Sequence, residues 1–162
     1  MKVNEVMMRT AASCSRNTNL GAAVQILWDR NCGILPVVDA KQKVIGVVTD
    51  RDICIALGTR NRLPGEITVG EVTSGKVFTC APEDDIRSAM WTMAQEKVRR
   101  LPVVTADGKL EGIVSMDDVV AHSESRAGKA TSELSHDDVV ATLKAVYRPE
   151  LPQVVKRVVA AA

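Results

Sequence analysis

Leu35-Pro36-Val37-Val38 returns further along the chain as Leu101-Pro102-Val103-Val104, and the reading of the fold turns on these two identical stretches. The offset that carries Pro36 to Pro102 also carries Gly46 to Gly112 and Asp52 to Asp118 without a gap. Extended backwards, it matches Val3, Glu5, Val6, Cys14 and Ala23 to Val69, Glu71, Val72, Cys80 and Ala89. A fixed-period repeat is the signature of duplicated supersecondary units, so it precedes every other inference. The two copies share a chain of 162 residues. Because a unit of about 60 residues is only marginally stable alone, they are expected to fold against one another.

Each copy predicts the same local structure. Leu20, Ala23, Val24 and Leu27 fall at the spacing of one helical face, and Ile86, Ala89, Met90 and Met93 repeat it. Thr18 and Asp84 stand just before these helices as expected N-caps. Then come two β-branched runs, Ile34 to Val38 and Val44 to Val48, matched by Leu101 to Val104 and Leu110 to Val114, with Asp107-Gly108 as a hairpin turn. Helices are predicted again over Asp50 to Leu57 and Asp117 to His122. With short opening strands at Ala12 to Cys14 and Val77 to Cys80, each unit reads β-α-β-β-α. The fold class is therefore α/β (α+β). Residues 1–62 form the first repeat, 63–123 the second, and 124–162 a linker and C-terminal helical tail. In that tail Glu124 to Glu133 reads as a linker, a helix runs from a Ser135 cap to near Tyr147, Pro149 and Pro152 interrupt, and Gln153 to Ala161 predicts a last short helix.

Composition narrows the function classes. Twenty-one basic residues nearly cancel twenty acidic ones, so no global field draws the chain to nucleic acid or to an anionic membrane. No apolar run approaches the roughly 20 residues that span a bilayer. The first residues lack the plan of a secretory signal, so a cytoplasmic protein is expected. The four cysteines, Cys14, Cys32, Cys54 and Cys80, form no C-x-x-C pair and lie apart from His122 and His136, which argues for reduced thiols and against a metal site. Trp28 and Trp91, on the long helices, read as core or interface residues rather than a base-stacking platform, since the chain is only 2% aromatic. No nucleophile with a base, metal cluster or paired carboxylates is arranged for catalysis; adjacent Asp117 and Asp118 point in different directions on a helix.

The chemistry concentrates in Gly46-Val47-Val48-Thr49-Asp50-Arg51-Asp52 and its copy Gly112-Ile113-Val114-Ser115-Met116-Asp117-Asp118: glycine, two apolar residues, a hydroxyl, two residues, aspartate. A hydroxyl at a strand end beside the first turn of a helix can join free backbone amides in holding phosphate. The plainer role of both residues is to cap the helix, and one residue can do both.

With the Leu-Pro-Val-Val strands and the helical register, this pattern resembles the tandem CBS domain family over residues 1 to about 123. The resemblance implies two repeats packed about a pseudo-twofold axis, ligand clefts between them, a homodimer, and a non-catalytic regulatory role. It implies that Thr49 and Asp52 serve one cleft and Ser115 and Asp118 the other, with each aspartate on the ribose hydroxyls. Arg99 and Arg100 match positions of basic phosphate contacts in related modules, and Arg51 is a further counter-charge. The first repeat has Gly33 and Ile34 in their place, so the two clefts are chemically unequal. The base is expected near Ala12 to Cys14 and against Cys80, Ile34, Pro36 and Pro102. The implied ligand is AMP, ADP, ATP or NAD, or a related adenosyl compound; the arginines favour nucleotides over the cationic sulfonium of S-adenosylmethionine. A regulatory role further implies a regulated protein as partner. The competing reading is a ligand-independent scaffold for dimerisation or interaction, which would not require the paired hydroxyl and aspartate motifs.

Overall fold

The structure, a computed structural model, describes residues 1–73, 75–125 and 134–147. Helix α1 (Val3–Val6), strand β1 (Cys14–Ser15), helix α2 (Leu20–Asp29), strands β2 (Ile34–Val38) and β3 (Val44–Thr49) and helix α3 (Asp50–Arg60) come first. After a 3-10 turn at Pro64–Glu66 come helices α4 (Val69–Val72) and α5 (Ile86–Glu96), strands β4 (Arg100–Val104) and β5 (Leu110–Ser115), helix α6 (Met116–Ala121) and helix α7 (His136–Val146). This is the duplicated α/β order that the sequence predicts.

The two sheets repeat one another in register. β2 pairs antiparallel with β3, Ile34 facing Thr49, and β4 pairs with β5, Arg100 facing Ser115; each ladder shifts at the same place, between Val37 and Val38 and between Val103 and Val104. β1 joins the first sheet parallel to β2 through Cys14 and Val37. The strand expected over Val77 to Cys80 contracts to a single parallel bridge, Cys80 to Val103, at the equivalent position. The hairpin ends meet each other: Val44 N–H donates to Gly108 O at 3.0 Å and Leu110 N–H to Gln42 O at 3.1 Å. Gly108, at φ +83°, occupies the left-handed position that glycine adopts without cost.

The repeats are joined by an exchange of helices. Val3 N–H donates to Asp84 O at 2.9 Å, and at the equivalent positions Val69 N–H donates to Thr18 O at 2.8 Å. α1, at the front of the first repeat, therefore buries Val3 and Val6 among Ile86, Met90, Met93 and Leu101 of the second. In return, Ile67 and Val69 from the front of the second repeat are buried with Leu20, Leu27, Leu35 and Val48 of the first. Each core is completed by the other repeat, which answers the marginal stability of a unit that small.

Several sequence expectations are corrected. The N-caps are Asn19, whose side chain accepts from Ala22 N–H at 2.8 Å, and Asp85, which accepts from Arg87 N–H at 2.8 Å. Thr18 and Asp84, one residue earlier, instead close the preceding turns by accepting from the amides of Ser15 and Ala81. α3 runs on to Arg60, where Asn61 closes it in the left-handed conformation, and α6 is Met116–Ala121. Trp28 and Trp91 are not core residues, being 81% and 65% exposed, whereas Met90 is buried. Cys14 and Cys80 are buried free thiols, but Cys54 is exposed. The helix from a Ser135 cap is present as α7, the Ser135 hydroxyl accepting from Asp138 N–H at 3.2 Å. The expected last helix, Pro149 and Pro152, and most of the Glu124 to Glu133 linker lie outside the described residues. No helix among the described residues is long and apolar enough to cross a membrane.

Candidate functional site

Where β2, β3 and the first turn of α3 face the second repeat, they open a cleft of about 540 Å³. That volume lies within the range of small-molecule sites. The first repeat contributes Ile34 and Gly33 from the start of β2, Val47 and Thr49 from β3, and Asp50 and Arg51 from α3. The second contributes Lys76, Phe78, the run Lys97 to Arg100, and Pro102. α7 closes the wall with Val146 and, just past its end, Tyr147. One stretch of the lining is apolar, built from Ile34, Val47, Phe78, Val98, Pro102 and Val146. Against it stand five cationic side chains, Arg51, Lys76, Lys97, Arg99 and Arg100, and one carboxylate, Asp50. Such a surplus focuses a positive potential in a concave, partly apolar space and favours an anionic ligand.

Local structure explains how these groups are aimed. Thr49 ends β3 and caps α3 in a reciprocal capping box: Asp52 Oδ2 accepts from Thr49 N–H at 2.9 Å and from its hydroxyl at 2.7 Å, while Thr49 Oγ1 accepts from Asp52 N–H at 3.2 Å. The box fixes the first turn of α3, and Arg51 is carried on that turn. Ser115 and Asp118 repeat the geometry, the Ser115 hydroxyl donating to Asp118 Oδ2 at 2.5 Å. Both motifs thus perform the capping role. Arg100 pairs with the exposed Asp117 at 3.6 Å. Arg99 Nη1 donates to the Tyr147 hydroxyl at 3.0 Å, and its guanidinium carbon lies 5.7 Å from the centre of the Tyr147 ring. That hydrogen bond, ahead of the electrostatic effect of the same phenol, raises the Arg99 pKa above the ordinary arginine value. Lys76 Nζ lies 4.7 Å from the centre of the Phe78 ring, so Phe78 bears a cation at its face.

Of the residues singled out in the sequence, Thr49, Arg51, Arg99, Arg100, Ile34 and Pro102 are brought together in this cleft. Asp52 borders a smaller depression with Ile55, Ala56, Thr59, Arg60 and Val72. Pro36 is buried in β2, and Cys14 and Cys80 are packed in the two cores. Burial pushes the Cys14 thiol up to about 11, and burial followed by the Asp84 carboxylate pushes Cys80 up to about 12. Ser115 and Asp118 do not line the cleft. Their strand is covered, Ile113 being 5% and Ser115 8% exposed, because Met8 bridges to Ile113 with N···O distances of 2.9 and 3.0 Å. The inequality of the two motifs thus extends beyond the arginines to how much of each strand is open.

Sequence reasoning missed Phe78, Lys76, Lys97, Val146 and Tyr147. The repeat offset takes Ala12, already expected near a bound base, to Phe78, so that residue had a signal. Tyr147 had none, because it lies outside the repeat.

Comparison with known proteins bears on both fold and cleft. The family model described as CBS domain matches residues 3–59 and again residues 69–125. The CBS domain-containing protein YhcV of Bacillus subtilis strain 168 is 33% identical over 140 residues, which cover 85% of this chain and 97% of that protein. The crystal structure of the CBS domain pair of protein MJ0100, in complex with 5'-methylthioadenosine and S-adenosyl-L-methionine, is similar with a TM-score of 0.68 at 25% identity, over 75% of this chain and 98% of that one. CBSX2 in complex with AMP gives a TM-score of 0.65 at 26% identity, over 74% and 93% of the two chains.

Proposed function

This chain belongs to the CBS domain family, and from that premise we propose that it is a non-catalytic regulatory module that takes an adenine nucleotide, or a related adenosyl ligand, into the cleft between its repeats. The observation that carries the proposal is the pairing of an apolar wall with five cationic side chains in one cleft of about 540 Å³. A base fits the Ile34, Phe78 and Pro102 side, and phosphates fit Arg51, Arg99 and Arg100, where charge-assisted hydrogen bonds are stronger than neutral ones. The adenosyl ligands of the MJ0100 and CBSX2 structures support the ligand class. The cation surplus favours AMP, ADP, ATP or NAD over the positively charged sulfonium. Thr49 serves the phosphates. Asp52 borders the neighbouring depression rather than the cleft, and it is the carboxylate offered to the ribose from that side, through Oδ1, which accepts no hydrogen bond among the described residues. A nucleotide signal of this kind fits a cytoplasmic protein. Binding acts by favouring one arrangement of the repeats over another and so alters contact with a regulated protein; only differential affinity for the two arrangements can do this.

A second reading, a ligand-independent dimerisation scaffold, is favoured by the exposed Trp28 and Trp91, which suit a homodimer interface. Calorimetric titration with AMP, ATP, NAD and S-adenosylmethionine, run beside native mass spectrometry, separates the two. The nucleotide reading expects one saturable site in the cleft and a loss of about tenfold or more in affinity for Arg100→Ala, from removal of a hydrogen bond to a charged group. A dimer that binds none of the four ligands would establish the scaffold.

A further inference from the structure

Building on the nucleotide reading of the cleft, we infer that Tyr147 is a gate on phosphate binding: its hydroxyl holds Arg99 until a ligand phosphate takes the guanidinium, and occupancy is thereby passed to the C-terminal end of α7. The helix lies beyond the residues that match the CBS domain. Its body is fixed. Val139, Thr142 and Val146 are buried, Val139 and Val146 within the core of the second repeat, and the Ser135 and Asp138 box caps its start. The residue after Val146 is held differently. Tyr147 is exposed, and its one side-chain hydrogen bond among the described residues is the one it accepts from Arg99 at 3.0 Å.

Arg99 lines the cleft as one of its phosphate counter-charges and is also the residue the phenol occupies. A neutral phenol is the weaker acceptor, and an anionic phosphate makes the stronger, shorter bond to a guanidinium. An exposed contact of this kind is easily exchanged, so the competition is modest and reversible. By reciprocity, the factor by which the Tyr147 contact weakens phosphate binding is the factor by which phosphate binding weakens that contact. The buried turn that ends at Val146 stays put, and the change is confined to Tyr147.

The test compares AMP with adenosine, which carries the base and ribose but no phosphate, by calorimetry on the full chain. Tyr147→Phe removes the hydroxyl and keeps the ring. The ratio of AMP affinity to adenosine affinity is expected to rise about two- to tenfold, the net size of one hydrogen bond. In the Arg99→Gln background the same change is expected to leave that ratio where it was, since the two residues act through one contact. Tyr147 is the single tyrosine of the chain, so protein labelled with 3-fluorotyrosine gives one fluorine resonance. That resonance is expected to move with AMP along the calorimetric saturation curve, and to move less with adenosine. A ratio that stays constant or falls in Tyr147→Phe overturns the gate while leaving the cleft intact. Wild-type protein that binds neither of these two compounds nor ADP, ATP or NAD overturns the nucleotide reading itself, and the gate with it.

Discussion

At the scale of single residues, two glycines with the same chemistry have opposite roles. A Cβ on Gly112 would stand 2.6 Å from the carbonyl oxygen of Met8, a residue whose backbone is held to β5 by two hydrogen bonds. A Cβ on Gly58, inside α3, would meet nothing within 4 Å. Gly112→Ala is expected to cost about 1–3 kcal/mol by overpacking. Gly58→Ala is expected to add about 0.5–1 kcal/mol by restricting the unfolded chain and favouring helix. Thermal unfolding followed by circular dichroism should show the first lowering the midpoint and the second raising it by about 2–4 °C per kcal/mol. Equal shifts in the same direction would mean that the Met8 segment does not lie on β5 in solution. The residue scale is also where sequence reading missed by the smallest step. Thr18-Asn19 and Asp84-Asp85 are consecutive polar pairs, each able to cap a helix, and only backbone direction decides which does. The Thr49 and Asp52 motif was readable as a helix cap because its pattern occurs twice and both residue types cap helices.

At the scale of elements, the sheets and long helices were legible and the partners of the short helices were not. β2, β3, β4 and β5 are apolar runs bounded by turn residues, and a duplicated pattern excludes chance. α1 and α4 are equally apolar whichever core receives them, so nothing in Val3, Val6 or Val69 announces the exchange. α7 was legible as a capped helix, but its docking site was not. Leu134, just before it, is fully buried in the second core, while Val140 on its outer face is 47% exposed. Leu134→Ala is therefore expected to cost about 2–5 kcal/mol and Val140→Ala less than about 0.5 kcal/mol. Urea unfolding measures both. A small loss for Leu134→Ala would mean that the segment leading into α7 is not part of the second core, and the wall it builds at the cleft would fall with it.

For the molecule as a whole, the two cores keep their thiols protonated. Cys14 and Cys80 are raised by burial, to about 11 and about 12, from an ordinary value near 9.0. A thiol with a raised folded-state pKa binds its proton more tightly in the native state than in the unfolded one, so its contribution to stability is complete below pH 9. It is lost as the pH climbs through the folded values, and unfolding midpoints should fall across alkaline pH. Native protein treated with iodoacetamide at neutral pH is expected to be alkylated first at the exposed Cys54, with Cys14 and Cys80 protected until denaturant is added. Peptide mass mapping reads this directly, and early labelling of Cys80 would show that the second core opens without global unfolding.

The traded helices also bear on whether either half could stand alone. One copy of this unit on its own would have an empty berth where its neighbour's leading helix lies, and a leading helix with nowhere to dock. Two free copies satisfy both needs by swapping. The polypeptide thus holds within itself an interface of the kind that two separate molecules would otherwise have to find. A pair of separate identical copies would be bound to one sequence on both sides of that interface, whereas two halves of one chain are not: the first repeat carries Gly33 and Ile34 where the second carries Arg99 and Arg100, so charge can be gathered on one side alone.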